Sequence, residues 1–352
     1  MKLSTADVPL SPSRYHLHHE GGHAHIHLPT WHLASLAVGL IFLVTLSSTF
    51  FYRLSHTPVP TVRPNRGLIQ PAPPASPPPS AKTPAQVSPP AAPLKIEAYN
   101  TGLAVDPGLQ HILDAYNAAT PPAGAVVLDI TDKKYATIEP DQIRTAASLY
   151  KLFVARELYD FRAQGKLAFD QTVTVTQTAA NQDNFDPNLP VGTSIQISEC
   201  LRRMIVISDN ACGYLLGSIV GWNNVNETLH IKGYAQTSLG SDQLTSAGDV
   251  SLLLRRMAEG QMIDEASSHD LEAVLFEQQL NAGLPALLPP GVVGHKTGNL
   301  DGLVHDAGLV RTKTKTYVIV VLSGPWSSTD EANNSIAKLS RQVYDYILNY
   351  NP

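Results

Sequence analysis

Ser148 and Lys151 are the two residues of this sequence whose types and spacing most directly permit chemistry. On a helix, residues three apart share one face, a turn apart. A lysine amine held beside a serine hydroxyl can take its proton and make the oxygen a nucleophile. The spacing alone does not decide whether Ser148 is a nucleophile or a structural residue. Serine is also a favoured helix N-cap, and Ser335 and Lys338 repeat the spacing in a predicted C-terminal helix.

Two further polar elements follow in the chain. Ser208-Asp209-Asn210 falls in a predicted loop between helices, and Lys296-Thr297-Gly298 falls at the end of a predicted strand. Together with Ser148-Leu149-Tyr150-Lys151, this set and order resembles the active-site elements of serine β-lactamases and penicillin-binding proteins, closest to class A β-lactamases. The segments at 165–173 and 294–310 also resemble that family. The resemblance covers roughly residues 95–352, so it extends well beyond the three short motifs.

The resemblance implies a nucleophile and two residues that move its proton. Ser148 would attack a strained or activated amide carbonyl. Lys151, kept neutral by crowding with other cations, would accept the hydroxyl proton. Ser208 would pass a proton to the leaving nitrogen. These three are the predicted catalytic residues.

The resemblance also implies a set of substrate-binding groups. The Asn210 side chain would hold a substrate amide, and Lys296 and Thr297 would bind a substrate carboxylate. Gly298 would let the strand backbone approach the ligand closely. The main-chain N–H groups of Asn299 and of the nucleophile would form an oxyanion hole. No metal or organic cofactor is implied.

Three nearby polar residues have simpler interpretations. We expect Asp209 to be structural, bonding within its own loop. His295 and His305 flank the third motif; a general base is conceivable, but a plain sheet-edge residue is the favoured interpretation.

One family feature is missing. Class A β-lactamases carry a Glu-x-x-Leu-Asn loop whose glutamate activates the deacylating water, and residues 233–250 contain no such motif. Asp242 is the one carboxylate near the right place and is better explained as a turn residue, and Glu227 lies on an earlier predicted helix. Acylation is therefore expected to survive, whereas deacylation is expected to be slow unless Asp242 or Lys151 activates water.

These observations predict a membrane-anchored β-lactamase-like serine hydrolase that forms an acyl-enzyme and hydrolyses β-lactam or related amide substrates. The alternative is a peptidoglycan D-Ala-D-Ala carboxypeptidase or transpeptidase acting on stem peptides. A β-lactam-binding sensor without turnover is a third hypothesis. The missing glutamate favours the second and third hypotheses, and the likeness to class A favours the first.

The elements that must position these residues indicate an α+β fold. Predicted strands stand at both ends of the domain and predicted helices fill its middle. The economical arrangement is one antiparallel sheet flanked by the N- and C-terminal helices, with an inserted all-helical subdomain and a site in the cleft between the parts. The predicted strands are 124–130, 135–139, 292–298, 306–311 and 316–322, and the predicted helices are 107–118, 148–164, 197–206, 211–220, 247–259, 270–280 and 330–350.

The residues before the domain read as three segments. Residues 1–32 hold seven histidines and are predicted to form a disordered tail with adventitious metal binding at most. Residues 33–52 are 20 uncharged residues, long enough for a transmembrane helix. Residues 53–94 are a proline-rich linker, and the hydrolase domain is assigned to 95–352. We therefore expect a single-pass protein of the bacterial cell membrane with an extracytoplasmic catalytic domain.

The net charge argues against a nucleic-acid-binding protein, and the cysteine content leaves the state of the thiols open. Net charge is −5 and no long basic run occurs, so there is no footprint for nucleic-acid binding. Cys200 and Cys212 are the two cysteines, and they bracket a predicted helix-loop-helix. They could form one disulfide in an oxidising compartment, although free buried thiols are the favoured interpretation.

Overall fold

Ten strands and nine helices make up the part of the chain that the computed structural model describes, residues 98–182 and 189–349. The strands are β1 (Ala104–Val105), β2 (Ala123–Asp129), β3 (Lys134–Ile138), β4 (Arg144–Thr145), β5 (Thr172–Thr174), β6 (Ser194–Gln196), β7 (Leu244–Thr245), β8 (Val293–Leu300), β9 (Leu303–Arg311) and β10 (Thr316–Ser323). The helices are α1 (Pro107–Ala119), α2 (Tyr150–Ala163), α3 (Gln177–Ala180), α4 (Ile197–Val206), α5 (Asn210–Val220), α6 (Trp222–Ile231), α7 (Ala247–Ala258), α8 (Glu265–Phe276) and α9 (Thr329–Asn349).

The main sheet joins strands from both ends of the domain in the order β1-β3-β2-β10-β9-β8. Every pairing is antiparallel except the short parallel pair β1–β3. Alternate residues of the central strands are buried on opposite faces, because successive side chains of a strand point to opposite sides. Val127 and Ile319 pack with α1 and α9, whereas Val126 and Val320 pack with α2 and α7. The sheet is thus a buried platform whose edge strand, β8, carries the third motif.

The helices between β3 and β8 form the inserted part, so the predicted α+β class is confirmed. Two small antiparallel sheets, β4–β7 and β5–β6, occur within this insertion, which is therefore not entirely helical. The helix α6 contains Glu227, which was predicted to lie on a helix, but its bounds were not predicted because its sequence W-N-N-V-N-E-T-L-H-I has few apolar positions. The helix α8 starts at Glu265 rather than at 270, because the Asp264 side chain accepts a hydrogen bond from Ser267 N at 2.6 Å and caps the helix.

Cys200 and Cys212 form a disulfide, so the favoured interpretation of free thiols is wrong. The two cysteines lie on α4 and α5, whose packing brings their Cα atoms to 5.2 Å, within the range that a disulfide spans. Sequence spacing could not show this, because it depends on how the two helices turn back on each other. The bond closes the loop that carries Ser208, Asp209 and Asn210.

We expect replacement of both cysteines by alanine to lower the free energy of unfolding by about 3 kcal/mol, the value typical of a loop of roughly this length. The cross-link stabilises mainly by restricting the unfolded chain. Urea unfolding with and without reductant measures the effect. Reductant should destabilise the wild type to the level of the variant and leave the variant unchanged. Equal stability of all samples would contradict the prediction.

The predicted tail 1–32, transmembrane helix 33–52 and linker 53–94 lie outside the described residues, as do residues 95–97. Within the described ranges, none of the helices combines the length and the apolar character needed to cross a membrane.

Candidate active site

Ser148 lies in a single 3-10 turn, Ala147–Leu149, immediately before α2. The helix was predicted to begin at Ser148, but it begins at Tyr150 because Ala147 adopts a left-handed conformation with φ 43°. Such a conformation in a residue with a β-carbon costs about 1–3 kcal/mol and persists only when the surroundings impose it. Here the buried neighbours Ala146 and Leu149 hold the turn, and Leu149 N donates to Ala146 O at 3.0 Å. The turn leaves Ser148 half-buried at a cavity.

Lys151 is fully buried in the first turn of α2, with its amine at the centre of the site. Its Nζ lies 3.2 Å from Ser148 Oγ and 3.1 Å from Ser208 Oγ. Two carbonyl oxygens, Ser208 O and Asn210 Oδ1, each accept from Nζ at 2.6 Å. A neutral amine has two hydrogens, and these two acceptors can take both. Its lone pair is then left for a serine hydroxyl, which is the arrangement that a general base requires.

Ser208 stands between two lysines. Its Oγ lies 3.1 Å from Lys151 Nζ and 2.9 Å from Lys296 Nζ, although the three residues are far apart in the chain. Ser208 also has a positive φ of 60°, which places it among the strained residues that cluster at functional sites. A hydroxyl in this position can receive a proton from one amine and donate its own to a third group.

Asp209 fixes the loop that carries Ser208. Its Oδ1 accepts from Cys212 N at 2.8 Å and caps α5, while its Oδ2 forms an ion pair with Arg203 at 3.1 Å. Asp209 is itself buried. These contacts are the structural role that the sequence predicted for Asp209.

Lys296 lies on β8, fully buried behind the site. Burial and then the charge of Lys151 lower the pKa of Lys296 well below its ordinary value, while the carboxylate of Asp306 acts weakly in the opposite direction. Its Nζ donates to Thr297 O at 2.8 Å in addition to its contact with Ser208. The crowding of cations that was predicted around Lys151 is therefore present, because two amines share one buried hydroxyl.

Gly298 brings the edge strand against the nucleophile turn. A Cβ at this position would lie 3.2 Å from Leu149 Cγ and 3.3 Å from both Ala146 O and His305 Cβ. Glycine was predicted here for close approach to a ligand, and the structure shows close approach to the Ser148 turn. Thr297 is buried in the strand, and Asn299 lines the same cavity as the nucleophile.

The cavity in front of Ser148 has a volume of about 750 Å³. Sequence reasoning found three of its lining residues, Ser148, Asn210 and Asn299. It missed several others, because their segments show no motif and meet only in the folded chain. The missed residues include Tyr150, Gln182, Tyr214, Trp222, Gly240, Ser241 and Gln243.

His295 and His305 are structural in this fold. His305 Nδ1 accepts from Ser323 N at 3.1 Å, so Nε2 carries the proton and donates to Thr145 O at 3.0 Å. Burial lowers the pKa of His305, which favours this neutral form. His295 is buried, with Nδ1 2.7 Å from Asp306 Oδ1. The sheet-residue interpretation therefore fits both rings.

Residues 233–250 occupy the place of the missing glutamate loop and are held by hydrogen bonds to Asp249. Among the described residues, none of the carboxylates in this segment lines the cavity. Asp249 accepts from Gln236 N at 2.8 Å and from Thr237 Oγ1 at 2.7 Å.

Asp242 lies exposed in a bend, as a turn residue would, while Ser241 and Gln243 face the cavity. Glu227 is exposed on α6. Within residues 98–182 and 189–349, no group of three or more ligand-type side chains could hold a metal ion.

Comparisons with known proteins agree with this geometry. Residues 106–347 match the family described as the beta-lactamase enzyme family. A beta-lactamase of Bacteroides uniformis is 25% identical over 233 residues, which cover 56% of this chain and 77% of that protein. Two solved structures, PBP-A and a beta-lactamase from Sphaerobacter thermophilus, are each 21% identical and each cover 70% of this chain and 98% of their own. Their TM-scores are 0.66 and 0.63, which shows that they share the fold.

Proposed function

Because this chain belongs to the beta-lactamase enzyme family and is a β-lactamase-like serine hydrolase, we propose that it acts through an acyl-enzyme formed at Ser148 with β-lactams as substrates. The observation that carries the proposal is the position of the Lys151 amine, 3.2 Å from Ser148 Oγ with carbonyl acceptors for its hydrogens. A nucleophile beside a positioned base is the recurring signature of covalent catalysis.

Acylation follows from these positions. Lys151 takes the hydroxyl proton while Ser148 Oγ bonds to the amide carbon, and the carbonyl π electrons move to its oxygen. The main-chain N–H groups of Ser148 and Asn299 would donate to that oxyanion. When the C–N bond breaks, the leaving nitrogen takes a proton from Ser208, and Ser208 is reprotonated by a lysine ammonium. The Ser208 hydroxyl lies within 3.1 Å of both lysines, so each transfer is short.

The remaining predicted residues orient the substrate. The Lys296 ammonium and the Thr297 hydroxyl would bind a substrate carboxylate by charge-assisted hydrogen bonds. The Asn210 amide, held by Lys151 at 2.6 Å, would present its N–H₂ group to a substrate carbonyl. The Lys296 and Asn210 side chains are already held by hydrogen bonds within the site, so little of their side-chain freedom is lost on binding.

Deacylation is the step that we expect to be slow in this site. Among the described residues that line the cavity, none is a carboxylate that could activate water. Loss of a general base typically slows its step about 100- to 10,000-fold. A long-lived acyl-enzyme also suits the second candidate, a D-Ala-D-Ala carboxypeptidase or transpeptidase, and the third, a β-lactam sensor. A mutant of the structural neighbour PBP-A has been solved as an acyl-enzyme complex with penicillin G.

We propose an extracytoplasmic location for the catalytic domain, with residues 33–52 as a single-pass anchor in the bacterial cell membrane. The 20 uncharged residues of that segment support the anchor. The Cys200–Cys212 disulfide supports the location, because structural disulfides persist in oxidising compartments. Protease accessibility of the domain in intact cells tests it, and protection of the domain until the cells are lysed would contradict it.

The function is tested by mixing the full chain with penicillin G and following intact mass over time, beside Ser148→Ala. We expect a stoichiometric adduct at Ser148 in the wild type and none in the variant. An adduct that clears indicates a working β-lactamase. An adduct that persists for hours favours the peptidase or sensor, and release of D-alanine from a D-Ala-D-Ala peptide then separates these two. Folded wild-type protein without an adduct would overturn the proposal.

A further inference from the structure

Three aromatic side chains form one wall of the cavity in front of Ser148. Tyr150 begins α2, Tyr214 lies on α5 and Trp222 begins α6. The Trp222 ring centroid lies 6.1 Å from that of Tyr150 and 6.2 Å from that of Tyr214, with tilted planes. These separations are those of interacting aromatic pairs. All three side chains line the same cavity as the nucleophile, and we call them the aromatic wall.

Two glycines fix Trp222 in this wall. A Cβ at Gly217 would lie 1.9 Å from Trp222 Cη2, so the indole rests directly on the α5 backbone. A Cβ at Gly240 would lie 3.8 Å from Trp222 Cβ, so the segment before β7 passes close to the base of the same side chain. The ring itself is supported by the α5 backbone rather than by a flexible side chain. A rigid aromatic surface presents binding area at little cost in conformational entropy.

The rest of the cavity lining is uncharged. Its polar groups are hydroxyls and amides, among them Gln182, Ser241 and Gln243, and it contains no Asp, Glu, Lys, Arg or His among the described residues. Burial raises the pKa of Tyr150 well above its ordinary value, so its phenol stays neutral. The two amines of the site, Lys151 and Lys296, are fully buried and are not part of this lining. A neutral, partly apolar group is what such a surface accommodates without a desolvation penalty.

We propose that the aromatic wall is a side-chain subsite that selects acyl donors whose acyl group carries an uncharged aromatic ring, with Trp222 and Tyr214 as specificity-determining residues. The inference rests on the acyl-enzyme function proposed above. An acyl group bound to Ser148 projects into this cavity, because the cavity lies directly in front of the nucleophile. Stacking against a fixed indole favours the aromatic donor on the order of 10-fold over a matched aliphatic one.

The test compares two β-lactams that differ only in the ring. Penicillin G carries a phenylacetyl amide, and the matched analogue carries an acetyl amide on the same nucleus. The rate constant for adduct formation on the full chain is measured by intact mass for both compounds. We expect penicillin G to react on the order of 10-fold faster with the wild type. In Trp222→Ala the ratio of the two rate constants should fall toward one, and Trp222→Phe should retain most of it.

Two further variants keep the test decisive if Trp222→Ala folds poorly. Tyr214→Ala should also lower the ratio. Tyr344→Ala is the matched tyrosine control, because Tyr344 is equally half-buried but lies on α9, across the sheet, and should leave the ratio unchanged. A wild-type ratio near one would overturn the subsite, as would equal slowing of both compounds in Trp222→Ala and Tyr214→Ala. Absence of any adduct from both compounds would instead overturn the function proposed for Ser148, and the subsite with it.

Discussion

Replacement of Lys151 by methionine is expected to slow the acylation of Ser148 by penicillin G about 100- to 10,000-fold, the usual contribution of a general base. Methionine fills a similar volume, but its thioether sulfur is far too weak a base to take the hydroxyl proton. Lys296 Nζ also contacts a hydroxyl of the site, 2.9 Å from Ser208 Oγ. Its described contact is with Ser208 and not with Ser148, so we expect it to replace the lost base poorly.

The rate constant is measured from the growth of the adduct in intact-mass spectra of the full chain. Lys338→Met is a control that the chain itself offers, because Ser335 and Lys338 repeat the spacing of Ser148 and Lys151 on α9, where Lys338 is exposed. We expect wild-type acylation from that variant. Unfolding curves must show that Lys151→Met is folded. Wild-type acylation by the folded variant would remove Lys151 from the mechanism.

Replacement of Lys296 by methionine is expected to make the protein more stable and less reactive. Burial of a charge is costly, and this ammonium faces a second amine, so its removal should raise the free energy of unfolding. The same change removes a cation proposed to bind the substrate carboxylate. Charge-assisted bonds contribute roughly 1.5–3 kcal/mol, so acylation by penicillin G should slow by about 10- to 100-fold at low substrate concentration.

The stability gain depends on pH in a defined direction. The pKa of Lys296 is lowered in the folded chain, so between that value and the ordinary lysine pKa the unfolded chain binds a proton that the folded chain does not. The wild type is therefore penalised fully below the folded pKa, and the penalty disappears as pH rises to the ordinary value. Chemical unfolding should show a larger gain for Lys296→Met near about pH 6 than near about pH 10.

Lys313→Met is the matched control, because Lys313 is exposed in the turn between β9 and β10. It should change stability little and equally at both pH values. A gain for Lys296→Met that is the same at both pH values would show that packing, rather than the buried charge, limits stability. Lower stability of that variant at every pH would contradict the prediction outright.

Local patterns predicted most of the elements that carry the site. The helix α4 has the predicted bounds 197–206, and the hairpin of β9 and β10 turns at the predicted residues 312–315. Period-based reasoning works for α4 because one face of that helix is buried, whereas β9 and β10 are buried on both faces and are marked by apolar runs on either side of a polar turn. It gave no bounds for α6, whose sequence is mostly polar, and it started the nucleophile helix two residues early. The early start reflects the positive φ of Ala147, which is imposed by packing and not by residue preference.

The sequence by itself determined which residues are the candidates for the chemistry, because the order and spacing of Ser148, Lys151 and Ser208 form a pattern that chance rarely assembles. Only the tertiary structure decided how those residues are placed relative to one another. The lowered pKa of Lys296, the disulfide of Cys200 and the aromatic wall all arise where distant segments pack together. Burial and approach between such segments depend on the whole fold, and no local period or motif encodes them.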